Sequence, residues 1–233
     1  PYGGGAATGT LLQAAMAVAT GVAEVVVCYR ALNGRSGQRY SAGVSGTLIT
    51  GSAIHYGYYM PFGLLTPASW VALFTRRYMH LTGCPQDALF EIAQATRDYA
   101  VRNPAAFFYQ RPMTRADYDA GKKICNPLTL YDCCQESDGG CAIVVTTPER
   151  ARHLKQPGVS IRRVGQCIAK DQEEMTAFYR PYIARIPQMD LPADEAYAQC
   201  GLSAQDIDAA VIYDAFTPVV MWQLESWGFC GRG

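Results

Sequence analysis

The sequence predicts an α/β layered fold, and three observations carry that reading. Leu11 to Ala19 is Ala-rich without a helix breaker, and Glu24 to Tyr29 (EVVVCY) follows it as a short β-branched apolar run. Cys141 to Thr147 (CAIVVTT) returns to the same character after a long stretch of different composition. A second helix–strand succession spans 194–213 and gives the chain a weak internal symmetry. A helix feeding a strand that reads as buried on both faces is the unit of layered α/β folds.

Taken in order, YGGGAATG is a glycine-rich turn that leads into the first helix. Thr20-Gly21 is the expected C-cap, because glycine adopts the left-handed conformation a helix end requires. Residues 35 to about 130 hold most of the Tyr and Phe, with helices expected over 68–81 and 86–102. Such a long excursion between two strands of one sheet is more often functional than connective. After CAIVVTT, PER opens a short helix, and Val159 to Ile168 is expected to form a strand with polar interruptions. Asp194 to Gly201 reads as a helix capped by Gly201, Asp208 to Tyr213 as a strand, and Pro218 to Trp227 as a helix.

The 233 residues carry 20 basic and 20 acidic side chains. Zero net charge lacks the electrostatic footprint of a nucleic-acid binder, although a local cationic cluster would suffice for a small anionic ligand. No apolar run approaches the ~20 residues that span a bilayer, and no signal peptide is legible. The expected location is cytoplasmic. Nine cysteines without a CxxC pair read as reduced thiols used as small hydrophobes, and no metal site is expected. The sequence opens on Pro1 rather than Met and stops at GFCGRG, which reads as a piece, or the ordered part, of a longer chain.

LYDCCQESDGGCAIVV (130–145) and GLSAQDIDAAVIYDAFTPVVMWQLESWGFC (201–230) resemble the corresponding stretches of sterol-carrier-type thiolases. The opening helix with GVAEVVV resembles the nucleophile-bearing helix and following strand of thiolases. NPAAFFYQRPMTRADYD is similar to the loop domain of the bacterial lipid-transfer-protein branch. The resemblance covers nearly the whole chain and implies a thiolase-like layered αβαβα fold with a long loop domain inserted in the N-terminal half. Residues 1–34 and 136–150 would form an incomplete N-terminal half, 35–135 the loop domain, and 151–233 the start of the C-terminal half.

The resemblance also shows a departure. The place of the thiolase nucleophile falls on Gly4, and no cysteine precedes Cys28, which sits mid-strand and reads as core. Glycine cannot carry an acyl group as a covalent intermediate. Thr8 is a nearby hydroxyl, but it lacks a visible local base. In this respect the chain is similar to the thiolase-fold aldolase subunit of bacterial steroid side-chain degradation. That family implies retro-aldol cleavage of a β-hydroxyacyl-CoA, which needs a base and an enolate-stabilising site but no acyl-enzyme. Gly4 and Gly5, opening a helix, would then present backbone N–H groups to an oxyanion or make room for a bulky substrate.

Tyr213 is the leading catalytic candidate. In YDAF it occupies the place of His in HDCF or Asn in NEAF, and its hydroxyl can move a proton if neighbours lower its pKa from ~10. Asp214 beside it either orients Tyr213 or caps the next helix. His55, in SAIHYGYYMPFG, and Cys134, where many thiolases line the pocket with Ser, are further substrate-side candidates. His80 and His153 read as a helix-end cation and a solvated surface residue. Arg76, Arg77, Lys122 and Lys123 are candidates for CoA phosphates by type and region, each equally readable as a solvated charge. The resemblance implies a homodimer, an OB-fold acyl-CoA-associated partner, and no cofactor beyond the CoA of the substrate. An acyltransferase, a non-catalytic lipid or acyl-CoA carrier, and a scaffold for the OB-fold partner stand as alternatives.

Overall fold

The computed structural model describes residues 4–37, 39, 51–168, 170, 178–180, 182–184 and 186–233, with the backbone alone at 4–6, 51–53 and 55. Helix α1 (Gly4–Ala19) begins at Gly4 rather than Leu11, so Gly4 and Gly5 form its first turn instead of a turn preceding it. Glycine costs helix stability, yet here it permits close packing: a Cβ on Gly9 would lie 2.6 Å from the Gln166 side chain. Past the end of α1, Gly21 has φ +73°, the left-handed conformation the sequence anticipates.

Strand β1 (Val25–Asn33) pairs antiparallel with a strand from beyond the insertion, Asp138–Thr146, in the register Val25↔Thr146 to Asn33↔Asp138. The reading of the excursion as a loop between neighbours in one sheet therefore holds. At the far end, Asp138 accepts hydrogen bonds from the backbone N–H groups of Arg35 (2.8 Å) and Ser36 (3.0 Å), which closes the turn after β1. Helix α1 packs on both strands, and Cys28, half-buried beneath it, directs its thiol to the Thr10 carbonyl at 3.7 Å. Both strands were expected to be buried; instead Tyr29 is 78% and Val144 57% exposed. A single ladder pairs one edge of each strand and leaves much of their apolar surface open.

The insertion is helical. Helix α2 (Gly51–Tyr59) leads to α3 (Pro67–Thr82), which starts with a Thr66–Ser69 capping box and Pro67 and ends at left-handed Gly83. Helices α4 (Asp87–Ala100) and α5 (Arg115–Ala120) follow, then a small antiparallel pair, β2 (Lys123–Cys125) and β3 (Leu128–Thr129). The expected helices at 68–81 and 86–102 thus form with near-matching bounds. After β4, which is the Asp138–Thr146 strand, come α6 (Pro148–Ala151), α7 (Asp190–Cys200) and α8 (Thr217–Ser226).

The main core joins the insertion to α8. Val71, Phe74 and Tyr78 of α3, Leu89 of α4, and Leu128 pack with Val219, Met221 and Trp222. Two expected strands do not form: 159–168 and 208–213 have no ladder. Val159 and Val211 are almost fully exposed. A β-branched run becomes a strand only where a partner pairs its backbone, and among the described residues none does so here.

Candidate active site

The site is built where the end of the insertion meets the segment before α8. Cys133 forms an isolated antiparallel bridge with Phe216, and the Cys134 N–H donates to the Ala215 carbonyl at 2.9 Å. This short contact brings together YDCC and YDAF, two motifs far apart in the sequence. The Cys134 thiol is raised above its ordinary pKa by desolvation first, then by the Asp214 and Glu136 carboxylates. The shift favours the neutral thiol of Cys134, an exposed residue whose backbone bonds the residue after Asp214. That state suits a pocket-lining donor and not a nucleophile.

Tyr213 presents its ring to solvent, 64% exposed. Among the described residues its segment joins no ladder, so the expected placement at the end of a strand is corrected. A side chain bonds its backbone instead. The Tyr213 N–H donates to Gln223 Oε1 (3.3 Å), while Gln223 Nε2 donates to the Tyr213 carbonyl (2.6 Å) and to the Val219 carbonyl one turn back (3.0 Å). Asp214 does not cap α8: the N-cap is Phe216, without a side-chain cap bond, and Pro218 occupies the first turn, where an N–H is dispensable. Asp214 is exposed beside Tyr213.

Beneath this surface lies Asp132, 1% exposed. It accepts from the Tyr118 hydroxyl (2.9 Å to each oxygen), the Thr129 N–H (2.7 Å), the Thr129 hydroxyl (3.0 Å) and the Thr217 hydroxyl (2.8 Å). A carboxylate offers about four acceptor sites, and these donors fill them. Burial, then Asp132, pushes the neighbouring Cys133 thiol up to about 12. The same two causes hold the Tyr118 hydroxyl above its ordinary pKa. Asp132 thus ties α5, the 129–132 turn and the first residue of α8 into one unit. Its signal in the sequence is the Thr129-x-x-Asp132 capping pattern, and the sequence reading missed its burial, Thr217 and Gln223 alike.

The other candidates are dispersed. Gly4 and Gly5 open α1. His55 belongs to helix α2 rather than to a loop, and its side chain lies outside the described residues. Arg76 and Arg77 are exposed on α3, and Lys122 and Lys123 are exposed at β2, which packs against α3. Lys123 lines a hollow with Gln86, Asn126 and Pro127; a second hollow is lined by Arg30, Leu32 and 137–141, and Tyr213 lines neither. His80 sits in the last turn of α3, and His153 is exposed after α6, as expected. Among the described residues, no group of His, Cys, Asp and Glu is arranged to hold a metal ion.

Comparison with known proteins places this arrangement in context. Residues 171–233 match the thiolase C-terminal domain-like family. The steroid side-chain-cleaving aldolase of Thermomonospora curvata is 53% identical over 100% of this chain and 60% of its own length. The 17-hydroxy-3-oxo-4-pregnene-20-carboxyl-CoA lyase of Mycobacterium tuberculosis is 48% identical over 100% of this chain and 61% of its own. The solved Ltp2-ChsH2(DUF35) aldolase superposes with a TM-score of 0.90 at 51% identity, covering 99% of this chain and 58% of that one. The chain spans about three-fifths of the length of these relatives.

Proposed function

We infer that this chain belongs to the thiolase superfamily, and on that premise that it serves in a carbon–carbon lyase acting on CoA thioesters. The reaction is retro-aldol cleavage of a β-hydroxyacyl-CoA, the CoA ester of a steroid side chain, giving a ketone and a short acyl-CoA. The observation that carries the reading is the pairing of Tyr213–Asp214 with a neutral Cys134, in a chain whose first helix opens on Gly4 where the thiolase resemblance places the nucleophile. The substrate class is supported by the names of the relatives at about half identity.

In the proposed reaction Tyr213 takes the proton of the β-hydroxyl, oriented by Asp214. The C–O bond becomes a carbonyl as the Cα–Cβ bond breaks, and the electron pair moves into the thioester as an enolate. Return of a proton to Cα completes the acyl-CoA product. Gly4 and Gly5 at the N-terminus of α1 and the Cys134 thiol supply donors on the substrate side, and His55 is a further proposed substrate contact. The exposed cations Arg76, Arg77, Lys122 and Lys123 are the proposed contacts for CoA phosphates. The reaction calls for no cofactor beyond the CoA of the substrate.

An OB-fold protein is the proposed partner, supported by the pairing named in the Ltp2-ChsH2(DUF35) neighbour, within an assembly containing a homodimer of the thiolase-like chain. No helix among the described residues is long and apolar enough to cross a membrane, and the proposed location is cytoplasmic.

The test is ketone release by the full-length protein with its partner from 17-hydroxy-3-oxo-4-pregnene-20-carboxyl-CoA, without added free CoA. Wild type should release ketone, and Tyr213→Phe should lose roughly a hundredfold or more in kcat, the usual worth of a general base. Binding without cleavage in wild type would favour the carrier reading. Covalent acyl labelling would favour an acyltransferase.

A further inference from the structure

We propose that Gln223 is a positioning residue for Tyr213, and that Asp132 anchors the helix from which Gln223 acts. The proposal rests on the reading of Tyr213 as the proton-transfer group. Among the described residues no strand pairs with the stretch before α8, and a stretch outside a ladder is ordered by whatever else bonds its N–H and C=O groups. At Tyr213 both groups are instead paired to one primary amide, whose carbonyl oxygen accepts from the N–H and whose NH2 donates to the C=O. A side-chain amide has the same donor–acceptor geometry as a peptide group, so Gln223 reproduces one step of a β-ladder at a single residue. Its second N–H is held by the Val219 carbonyl within α8, which restricts the rotamer that faces Tyr213.

The helix that carries the clamp is itself anchored. Thr217, its first residue, donates to buried Asp132, and Val219, Met221 and Trp222 are sealed in the main core. The same carboxylate is bonded to Tyr118 and Thr129, and Cys133–Cys134 follow it directly in the chain. Asp132 therefore sets both walls of the site: Cys134 through the chain, and Tyr213 through Thr217, α8 and Gln223. Only the proton-transfer residue at the end of this relay touches substrate. Gln223 acts through it.

The experiment compares Gln223→Met, which keeps the length of the side chain and removes both amide bonds, with Gln223→Glu, which keeps the acceptor for the Tyr213 N–H. Both are made in the full-length protein, in wild-type and Tyr213→Phe backgrounds. Gln223→Met is expected to lower kcat about tenfold with KM little changed, as displacement of a reacting group does. Gln223→Glu should fall between it and wild type. In the Tyr213→Phe background Gln223→Met should change the residual rate by less than about twofold, because two residues acting through one group are not additive. Hydrogen exchange over residues 207–216 gives a readout independent of turnover, and Gln223→Met should accelerate it while exchange over α3 stays unchanged. Unchanged exchange at 207–216 would overturn the proposal. So would a near-wild-type kcat in Gln223→Met when Tyr213→Phe is impaired, or an equal loss from Gln223→Met in both backgrounds. A wild-type rate in Tyr213→Phe would instead overturn the catalytic reading of Tyr213, and the exchange measurement would still report whether Gln223 holds the segment.

Discussion

The helical core of α3, α4 and α8 and the β1–β4 ladder use similar apolar residues to different ends. In the core, Phe74, Leu89, Leu128 and Trp222 are at most 1% exposed, and they come from segments far apart in the chain. In the ladder, Val25, Val27, Ile143 and Val144 are each 45–57% exposed although every strand residue is in register. The difference lies in what closes each region. Helices satisfy their backbones internally and need only a packing partner, which α8 provides for α3 and α4. A strand needs lateral pairing for its backbone and further cover for both faces. Among the described residues each strand of the ladder has one partner strand and α1. Two-stranded sheets are marginal by themselves, and this one draws support from that helix.

The largest test of this contrast is truncation in each region. Trp222→Ala should cost about 3–5 kcal/mol in urea unfolding of the full-length protein, the usual cost of an emptied aromatic core site. Tyr29→Ala, on an exposed ladder position, should cost less than about 1 kcal/mol. Equal losses at the two sites would mean that the ladder is covered in solution by something outside the described residues.

An intermediate effect should come from pH. Tyr78, Tyr118 and Cys133 all have pKa values raised in the fold, each by burial first; Glu225 adds to the shift at Tyr78, and Asp132 at the other two. A raised pKa means that the folded state keeps its proton when the unfolded chain has lost it. The stability these groups contribute is therefore complete below the unfolded values, about 8.5 for Cys and 10 for Tyr, and is lost as pH rises above them. The expected midpoint of thermal unfolding is flat between pH 7 and 8 and falls steeply above about pH 9. Replacing Cys133 by Ala should delay the onset of the fall. A flat profile to pH 11 would show that these groups are not buried against carboxylates.

The smallest effect sharpens the polar side of the comparison. Tyr118→Phe removes one donor from Asp132 and leaves Thr129 and Thr217 in place, so the cost should be about 1 kcal/mol. A cost several times larger would mean that the network acts as a single cooperative unit.

Much of the helical architecture was legible in the residues themselves. Pro67 after Thr66, glycines at 21 and 201, and Ala-rich or amphipathic runs mark helix ends by local chemistry. The bounds of α3, α4, α7 and α8 follow them within a few residues. The extension of α1 through Gly4 and Gly5 was not legible, since a run of glycines carries a turn preference and no helix-forming side chain. The strands expected at 159–168 and 208–213 failed for the complementary reason: β-branched composition states a preference that only a pairing partner can realise. The same limit applies to the site. Tyr213, Asp214 and Cys134 could be singled out from their motifs. Asp132, Thr217 and Gln223 could not, because their roles arise from contacts across the chain.

The sequence by itself therefore determined the positions of the helices, the neutral charge balance and the residue types available for chemistry, all of which follow from local backbone preference and composition. The tertiary structure alone decided that YDCC and YDAF meet, that Asp132 is buried among hydroxyl donors, and that an amide on α8 bonds the Tyr213 backbone. Those outcomes depend on which distant groups meet, and a hydrogen bond between residues 85 apart, as between Asp132 and Thr217, leaves no periodic trace in either segment.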